Sequence, residues 1–356
     1  MAPGASAQPI HIFHHTFRRT GGKERYGIAL ATALKQLDRP VVFHALKGDQ
    51  ALARSLGIDL RLTQVPRIPR KFESFQFFRQ VEKLRHQVQG LQITLSRARV
   101  RDVLISGGTH LGYLERARKW TDPFDLLEIW MERQAYREPR LIVAHSDLLA
   151  TDLTTKYHVP DRKLRTLYAP VDERFHALGN LPARQELRRR FGWHENRIVF
   201  LFPSMGHGRK GLQVITQALS FFPDRVLLAV AGKPAPGDRP FVKSMGYIED
   251  MAAAYRAADF TILASSYEPF GLVGPESILC GTRLVFEENV GCLPAIKPEN
   301  VFAFSVWDPV SIREAVSRAL TLAASGKHHI EQPLQGLRYD PNPVAHAHAI
   351  LDALVS

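Results

Sequence analysis

The sequence predicts an α/β fold made of two domains. Short apolar runs rich in β-branched residues, such as Phe260–Ala264, alternate with stretches of helical period, as parallel sheets with covering helices require. Runs over Pro40–Leu46 and Leu60–Val65 have the spacing of βαβ units. A chain of 356 residues is long for one domain and suits two of roughly 170 residues, each able to bury its own core.

Strand and helix patterns alternate along the first half. Gly21 and Gly22 lie between the first strand and a helical pattern, in a βα turn where the backbone can approach a ligand closely. His110 follows a strand at the sheet edge where ligands bind, although a capping or packing role is an equal alternative. The predicted strands of this half are Ile10–His15, Pro40–Leu46, Leu60–Val65, Asp102–Gly108, Arg140–Ser146 and Leu164–Ala169.

The pattern restarts after a predicted boundary near Asp172–Leu181. The loop S-M-G-H-G-R-K-G brings Arg209 and Lys210 to a helix start, where cations are unfavourable unless an anion compensates them. A solvated cation pair is the alternative. The predicted strands here are Ile198–Pro203 and Val226–Gly232, and the predicted helices are Leu212–Leu219, Asp250–Ala258, Pro309–Ala324 and Pro343–Val355.

Composition excludes several classes of protein. No apolar run approaches the roughly 20 residues of a membrane-spanning helix, and the first residues lack the pattern of a signal peptide. Cys280 and Cys292 have no metal-ligand spacing, which favours free thiols in a reducing cytoplasm. The sequence contains neither zinc-binding spacing nor a nucleotide P-loop. We therefore expect a cytoplasmic protein.

The net charge of +12 is concentrated in residues 61–101, where ten Lys or Arg stand against two Glu. On a helical wheel, one half of the segment is apolar, and Arg79 and Lys83 lie on the other half. The segment is either a surface helix packed by its aromatic face or an element facing an anionic membrane or acceptor. Nucleic acid is not expected, because no reader motif is present. The apolar half is Phe75, Phe78, Val81, Leu84 and Val88, and the membrane or acceptor contact would use Arg70, Lys71, Arg79 and Lys83.

Two carboxylates, Glu268 and Glu276, flank a helix N-terminus predicted at Gly274-Pro275. The free amides and the dipole of a helix N-terminus suit an anion. Because two glutamates would repel a phosphate, we expect them to accept hydrogen bonds from neutral hydroxyls beside it. A sugar nucleotide offers both kinds of group.

The segment E-P-F-G-L-V-G-P-E, from Glu268 to Glu276, resembles the E-x7-E motif of the retaining glycosyltransferases of family 4. Gly274, Pro275 and Ser277 depart from the usual V-L-E-A wording of that motif. G-G-K-E-R after the first strand and G-Y-I-E-D before the motif also resemble family segments. The adjacent pair Arg209-Lys210 is similar to the branch that glucosylates lipopolysaccharide core.

The resemblance implies a GT-B fold, in which two Rossmann-like domains face each other across a cleft. Residues 1–175 would bind the acceptor, residues 176–342 the nucleotide-sugar donor, and the last helix, 343–356, would pack back on the first domain. The implied catalytic residues are Arg209, Lys210, Glu268 and His110. The implied donor-binding residues are Gly21, Gly22, Ser204, Ile248, Phe270, Gly271, Leu272, Val273 and Glu276.

The function implied is transfer of a hexose or heptose from a nucleotide diphosphate sugar, UDP-linked in the first instance, with retention at the anomeric carbon. No cofactor or metal is expected, because Arg209 and Lys210 would take the place of a metal ion on the diphosphate. The acceptor implied is lipopolysaccharide core or another cell-surface glycan, with peripheral association at the inner face of the membrane. A protein or small-molecule acceptor and a nucleotide-sugar epimerase of the same architecture remain alternatives.

Overall fold

The computed structural model describes residues 8–19, 21–66, 69–175, 183–193 and 196–355. The chain divides into two compact units, one of Met1–Pro170 with Asp340–Ser356 and one of Val171–Tyr339. We call them unit 1 and unit 2. Most of the boundary predicted near Asp172–Leu181 lies outside the described residues. Each unit is built on its own parallel sheet.

The sheet of unit 1 has seven parallel strands in the order β5-β3-β1-β6-β7-β8-β9. Its first strand, β1, is fully buried and pairs with strands on both sides, so its carboxyl end lies at the middle of one sheet edge. A pair of two-residue strands, β2 (Thr16–Phe17) and β4 (Lys47–Gly48), lies outside this sheet. The seven strands are β1 (Ile10–Phe13), β3 (Val41–Ala45), β5 (Asp59–Leu62), β6 (Leu91–Thr94), β7 (Val103–Ser106), β8 (Leu141–Ala144) and β9 (Leu164–Thr166).

Helices connect these strands, and most begin at a side-chain cap. The side chains of Asp49, Thr109, Asp122 and Ser146 each accept a hydrogen bond from a backbone amide in the first turn of the helix that follows. The six helices before the boundary are α1 (Gly22–Gln36), α2 (Gln50–Ser55), α3 (Glu73–Leu84), α4 (His110–Arg116), α5 (Pro123–Ala135) and α6 (Asp147–Tyr157).

Unit 2 has six parallel strands in the order β12-β11-β10-β13-β14-β15. They are β10 (Ile198–Ser204), β11 (Val226–Gly232), β12 (Val242–Gly246), β13 (Phe260–Leu263), β14 (Arg283–Glu287) and β15 (Val301–Phe304). Its helices are α7 (Arg184–Phe191), α8 (His207–Lys210), α9 (Leu212–Leu219), α10 (Met251–Ala257), α11 (Val273–Leu279) and α12 (Pro309–Ala324).

The last helix, α13 (Pro343–Val355), packs on α1 within unit 1. Nε2 of His346 lies 2.9 Å from the Tyr26 hydroxyl of α1, and both residues are buried. The Arg140 guanidinium donates to the carbonyl of Leu354, 3.1 Å away. The end of the chain therefore completes the first unit rather than the second.

The predicted elements are mostly present, with corrected ends. The six strands predicted for unit 1 are each two or three residues shorter in the structure. The helix of the glutamate motif begins at Val273, one residue before the predicted start at Gly274-Pro275. In α3 the buried residues are Phe77, Phe78 and Val81, whereas Val88 lies beyond the helix end. Leu84 and Val88, both partly buried, pack against the same core cluster as Phe77 and Val81, so the predicted apolar side of this segment is the packed one, with Phe77 added to it.

Candidate functional site

The predicted donor-binding residues of unit 2 lie at one edge of its sheet. Ser204 ends β10, Ile248 follows β12, and Glu268 follows β13. Because all six strands run parallel, the carboxyl ends of these strands meet at the same edge. The local sequence of each strand-to-helix connection therefore determines what this edge can bind.

Arg209 and Lys210 are held by a short helical turn at that edge. Gly211, directly after α8, has φ +74°, and a Cβ there would lie 2.3 Å from the carbonyl oxygen of Ala264. Only glycine allows this approach, which presses the turn against the residue following β13. Nη1 of Arg209 donates to Oε2 of Glu268 at 3.0 Å, and Nζ of Lys210 donates to the carbonyl of Pro203 at 3.1 Å.

Ser204 is buried and bonded to a histidine that the sequence did not single out. Nε2 of His207 lies 3.0 Å from the carbonyl of Pro234, so this nitrogen donates and carries the hydrogen. In the neutral imidazole Nδ1 is then an acceptor, and the hydroxyl of Ser204 donates to it at 2.9 Å. The bond closes the turn between β10 and α8, which gives Ser204 and His207 a positioning role here.

Glu268 lies in a turn that requires glycine. Gly271 has φ +85°, and a Cβ there would lie 3.0 Å from Cγ of Glu268. The amide of Gly291 donates to the Glu268 carbonyl at 2.9 Å, which ties the turn to the residues after β14. The predicted backbone donors, Phe270–Val273, form the rest of this turn and the first helical residue, and the Phe270 side chain is buried.

Glu276 is nearly enclosed within α11. It is only 4% exposed, and Oε2 accepts a hydrogen bond of 3.1 Å from the hydroxyl of Tyr255 on α10. A buried carboxylate held by a neighbouring donor is fixed in place, so its remaining acceptor positions have a defined direction. The sequence predicted Glu276 but not Tyr255, which stands 21 positions earlier.

Two of the three departures from the usual motif wording, Gly274 and Ser277, have local structural reasons. A Cβ at Gly274 would lie 2.4 Å from Sγ of Cys292, so glycine lets α11 pack closely on that residue. Ser277 is buried, and its hydroxyl donates to the Thr282 carbonyl at 2.9 Å and lies 2.7 Å from Oγ1 of Thr261 on β13. Both cysteines are free and buried. Gly274 and Ser277 thus anchor the helix.

Ile248 lies between β12 and the helix α10, in a loop that begins with Gly246 at φ +66°. Asp250 caps α10 by accepting from the Ala253 amide at 3.0 Å. Tyr247, beside Ile248, is 77% exposed. The loop therefore offers backbone groups and one exposed aromatic ring.

The unit 1 residues predicted at the site have mixed placements. Gly21 and Gly22 lie at the start of α1, as expected for residues of a βα turn. His110 begins α4, and its Nε2 lies 2.8 Å from Oδ1 of the buried Asp125. Its amide also donates to Glu132 at 2.8 Å. This side chain is thus engaged with α5.

A cavity of about 320 Å³ opens at the carboxyl ends of β1, β6 and β7. The sequence patterns did not single out the residues that define it. His14 and His15 follow β1, Ser96 and Arg97 follow β6, and Lys23 reaches in from α1. These residues are far apart in the chain, and only the pairing of β1 with β6 brings them together.

The cations at this cavity are largely neutralised by unit 1 itself. Arg97 forms ion pairs of 3.0 Å with Glu128 and 2.7 Å with Glu132, both buried on α5. Desolvation by the cavity walls and the charge of Arg97 lower the pKa of Lys23 to about 8, although the residue as a whole is exposed. Burial lowers the pKa of both His14 and His15 to about 3, so both imidazoles are neutral at physiological pH.

The basic segment divides into paired and exposed cations. Arg85, Arg97 and Arg99 form ion pairs with glutamates of unit 1, so they belong to its interior framework. Lys71, Arg79 and Lys83 are exposed, while the side chain of Arg70 and all of Arg67 lie outside the described residues. Lys71 lies 5.2 Å from the ring centre of Phe72.

One group of described residues could approach a metal ion: Asp259, His328 and His329, whose ligand atoms lie within 4.8 Å of one another. Asp259 is already bound by Arg184 and Arg188, and it accepts from His328 at 2.8 Å. Two arginines in contact would oppose a second cation. Asp259 also precedes β13, at the opposite sheet edge from Glu268. This group is therefore an internal ion-pair network.

Comparisons with known proteins agree with this architecture. A model of Glycosyltransferase Family 4 matches residues 20–175, and a model of Glycosyl transferases group 1 matches residues 195–322. A probable transglycosylase of Burkholderia thailandensis is 36% identical over 337 residues, which cover 93% of each chain.

Two solved structures show the fold. WaaG, a glycosyltransferase involved in lipopolysaccharide biosynthesis, matches with a TM-score of 0.83 at 16% identity, over 96% of this chain and 99% of its own. HepE of Anabaena, crystallised with UDP and glucose, matches with a TM-score of 0.75 at 18% identity, over 98% and 100%. The predicted GT-B fold is confirmed. Within the part of the chain that the structure describes, no helix has the length and apolar character to cross a membrane.

Proposed function

The chain belongs to the family 4 glycosyltransferases, and on that premise we propose that it moves a hexose or heptose from a nucleotide diphosphate sugar to an acceptor hydroxyl with retention of anomeric configuration. The observation that carries the proposal is the contact between Arg209 and Glu268, beside Lys210, at the carboxyl edge of the unit 2 sheet. A cation pair and a carboxylate adjoin there, as a diphosphate and sugar hydroxyls require.

The cations act on the charge that grows as the sugar–phosphate bond breaks. Negative charge accumulates on the departing diphosphate, and Arg209 and Lys210 stabilise it more strongly than they stabilise the intact donor. Only such a difference between transition state and ground state lowers the barrier. Two fixed cations can replace a metal ion in this role, so the proposal includes catalysis without a metal.

The carboxylates hold neutral groups of the donor. When the donor diphosphate binds Arg209, it replaces Glu268 as the partner of that side chain. Glu268 then accepts hydrogen bonds from hydroxyls of the transferred sugar. Glu276, fixed by Tyr255, accepts from the ribose hydroxyls. The backbone at Ile248 faces the base, and the amides of Phe270–Val273 and of the Gly21–Gly22 turn complete the contacts to the donor. UDP is the favoured nucleotide, since HepE was crystallised with UDP and glucose.

The acceptor hydroxyl is assigned to unit 1, whose cavity offers histidine, serine and lysine side chains. A glycolipid such as lipopolysaccharide core is the favoured acceptor, because WaaG, which has the same fold, is involved in lipopolysaccharide biosynthesis. Lys71, Arg79 and Lys83 are exposed, and Trp130 of α5, 44% exposed, packs on Phe78 of the basic segment. Exposed cations beside tryptophan suit an anionic membrane surface at the inner face of the membrane.

Proton NMR of the enzyme with UDP-glucose tests this reaction directly. Slow hydrolysis of the donor without acceptor should release UDP and, before mutarotation, α-glucose. First appearance of β-glucose would contradict retention. Unchanged UDP-glucose would redirect the search to another donor, such as a GDP- or ADP-linked sugar, and failure with all of them would refute transfer.

A further inference from the structure

The cavity of unit 1 contains an unusual arrangement of one serine between two histidines. The Ser96 hydroxyl lies 2.9 Å from Nδ1 of His14 and 2.8 Å from Nδ1 of His15. A hydroxyl has one hydrogen and can donate it to only one of the two nitrogens. The other contact is a hydrogen bond only if the histidine supplies the hydrogen from its own Nδ1.

The two imidazoles must therefore be opposite tautomers. Both are neutral, and a neutral imidazole carries a single N–H. The histidine that donates from Nδ1 to Ser96 has a bare Nε2, which is an acceptor. The histidine that accepts at Nδ1 from Ser96 has an Nε2–H, which is a donor. The hydroxyl thus converts two identical side chains into one acceptor and one donor.

Neither Nε2 atom has a hydrogen-bond partner among the residues that the structure describes, and both atoms are buried. A buried polar atom without a partner is unfavourable, so such atoms in native proteins are completed by water or by a ligand. The two ring centres are 5.6 Å apart and the ring planes are nearly perpendicular, at 84°. Two neighbouring hydroxyls of one sugar ring can bridge such a separation.

We propose that His14 and His15, set in opposite tautomers by Ser96, bind hydroxyls of an uncharged sugar ring in the unit 1 cavity. A hydroxyl both donates and accepts, so it satisfies either Nε2, whereas a phosphate or carboxylate can only accept. This inference rests on the proposed function and deepens it, because the ring that is bound is part of the acceptor. It assigns these two histidines as acceptor-contacting residues.

The charges around the cavity favour the same class of ligand. Glu24 and Glu73 line it, and Lys47 is already paired with Glu73 at 2.7 Å. Arg97 is paired with two glutamates of α5. Lys23 therefore remains as the cation opposite Glu24 and leaves little surplus charge to hold an anion. A neutral polyhydroxyl group needs no surplus positive charge to bind there.

The tautomers can be read directly in the full-length protein. Long-range ¹H–¹⁵N correlation spectra of ¹⁵N-histidine-labelled protein at neutral pH should show one of the pair protonated at Nδ1 and the other at Nε2. Ser96→Ala should abolish this difference. Ser106→Ala, a matched serine change in the same cavity wall, should preserve it. Identical tautomers in the unchanged protein, or two charged imidazoles, would overturn the proposal.

Ligand class is tested by titrating methyl α-D-glucoside and, separately, α-D-glucose 1-phosphate into the same samples. The neutral glycoside should shift the Nε2 signals of both histidines. Ser96→Ala should weaken its binding about two- to tenfold, the effect of one neutral hydrogen bond. No shift with the glycoside, which would leave water as the occupant, or tighter binding of the phosphate, would overturn the proposal.

The two proposals fail separately. Release of UDP from a donor without any response of the histidines to sugars would remove this inference and leave the glycosyltransferase reaction intact. A clear histidine response to the glycoside without turnover of any nucleotide sugar would do the opposite. It would leave a sugar-binding cavity in a protein that catalyses a different reaction.

Discussion

The two units differ in the balance of charged groups at the carboxyl edges of their sheets. In unit 2, Arg209, Lys210 and Glu268 meet at the carboxyl edge of the sheet. In unit 1, the cavity at the corresponding edge contains neutral histidines, and its arginine is already bound by glutamates of the same unit. Unit 2 thus has two cations beside one carboxylate, whereas unit 1 has two carboxylates around Arg97 beside neutral histidines. This difference is why we propose unit 2 for the departing diphosphate and unit 1 for an acceptor hydroxyl.

The cations of the basic segment give the largest expected effect. Replacing Arg70, Lys71, Arg79 and Lys83 with alanine should weaken binding to anionic vesicles by up to roughly a thousandfold, since each contributes about 1 kcal/mol near such a surface. Because the attraction is screened within about 8 Å at physiological ionic strength, binding should also fall steeply with salt.

Vesicle co-sedimentation across a salt series is the measurement, and donor hydrolysis should be unaffected. If the curves of the fourfold variant coincide with those of the unchanged protein, the segment is a solvated surface helix that does not bind the membrane. Arg189 and Arg190, exposed on α7 of unit 2, offer a matched control pair for loss of surface charge.

The convergent cations of unit 2 come next. Lys210→Ala and Arg209→Ala should each lower kcat by roughly a hundred- to a thousandfold with a smaller change in KM, because these side chains meet charge that develops during bond breaking. Steady-state release of the nucleotide is the readout, with Arg189→Ala as the control. A change in KM alone would mean that the cations bind the donor without assisting its cleavage.

Glu276 tests binding rather than catalysis. Glu276→Ala should raise the KM for the donor about ten- to a hundredfold, since a hydrogen bond to a charged group is worth roughly 1.5–3 kcal/mol. The change in kcat should be small, because the ribose contact is similar in the ground state and the transition state. Tyr255→Phe, which removes the hydroxyl that donates to Glu276, should have a smaller effect in the same direction. If calorimetry shows that Glu276→Ala binds the nucleotide as tightly as the unchanged protein, Glu276 does not contact the ribose.

The smallest expected effect is that of a chelator. If Arg209 and Lys210 act in place of a metal ion, EDTA should leave the turnover rate unchanged. Enzyme treated with EDTA and then dialysed is compared with untreated enzyme, with and without added magnesium or manganese. Loss of turnover that either ion restores would show that the charge at the diphosphate is not supplied by the protein alone.

The sequence predicted the elements whose signals are local. Leu212–Leu219, Pro309–Ala324 and Pro343–Val355 agree with the structure at both ends. β6 was missed because its buried Gln92 interrupts the apolar pattern, and that side chain is satisfied by the Arg85 carbonyl at 2.8 Å. The missed α5 did carry a signal, the capping box in which Asp122 and Asp125 bond each other's amides.

The same distinction separates the two sites. Glu268 and Glu276 stand eight positions apart and Arg209 adjoins Lys210, so each pair forms a local motif in the sequence. The contact between Arg209 and Glu268, 59 positions apart, is shown only by the structure. His14 and Ser96 are 82 positions apart, and only strand pairing brings them into contact. The ion pairs that neutralise Arg97 come from α5, more than thirty positions away, so a count of charges along the chain could not identify them.

The most direct test of the account is a panel of UDP-, GDP- and ADP-linked sugars, with the released nucleotide identified by mass spectrometry for the unchanged enzyme and for Lys210→Ala. We expect turnover of one nucleotide class, UDP first, at a rate that falls roughly a hundredfold or more in the variant. Release of no nucleotide from any donor, or equal release by both proteins, would contradict the claim that convergent charge in unit 2 drives glycosyl transfer.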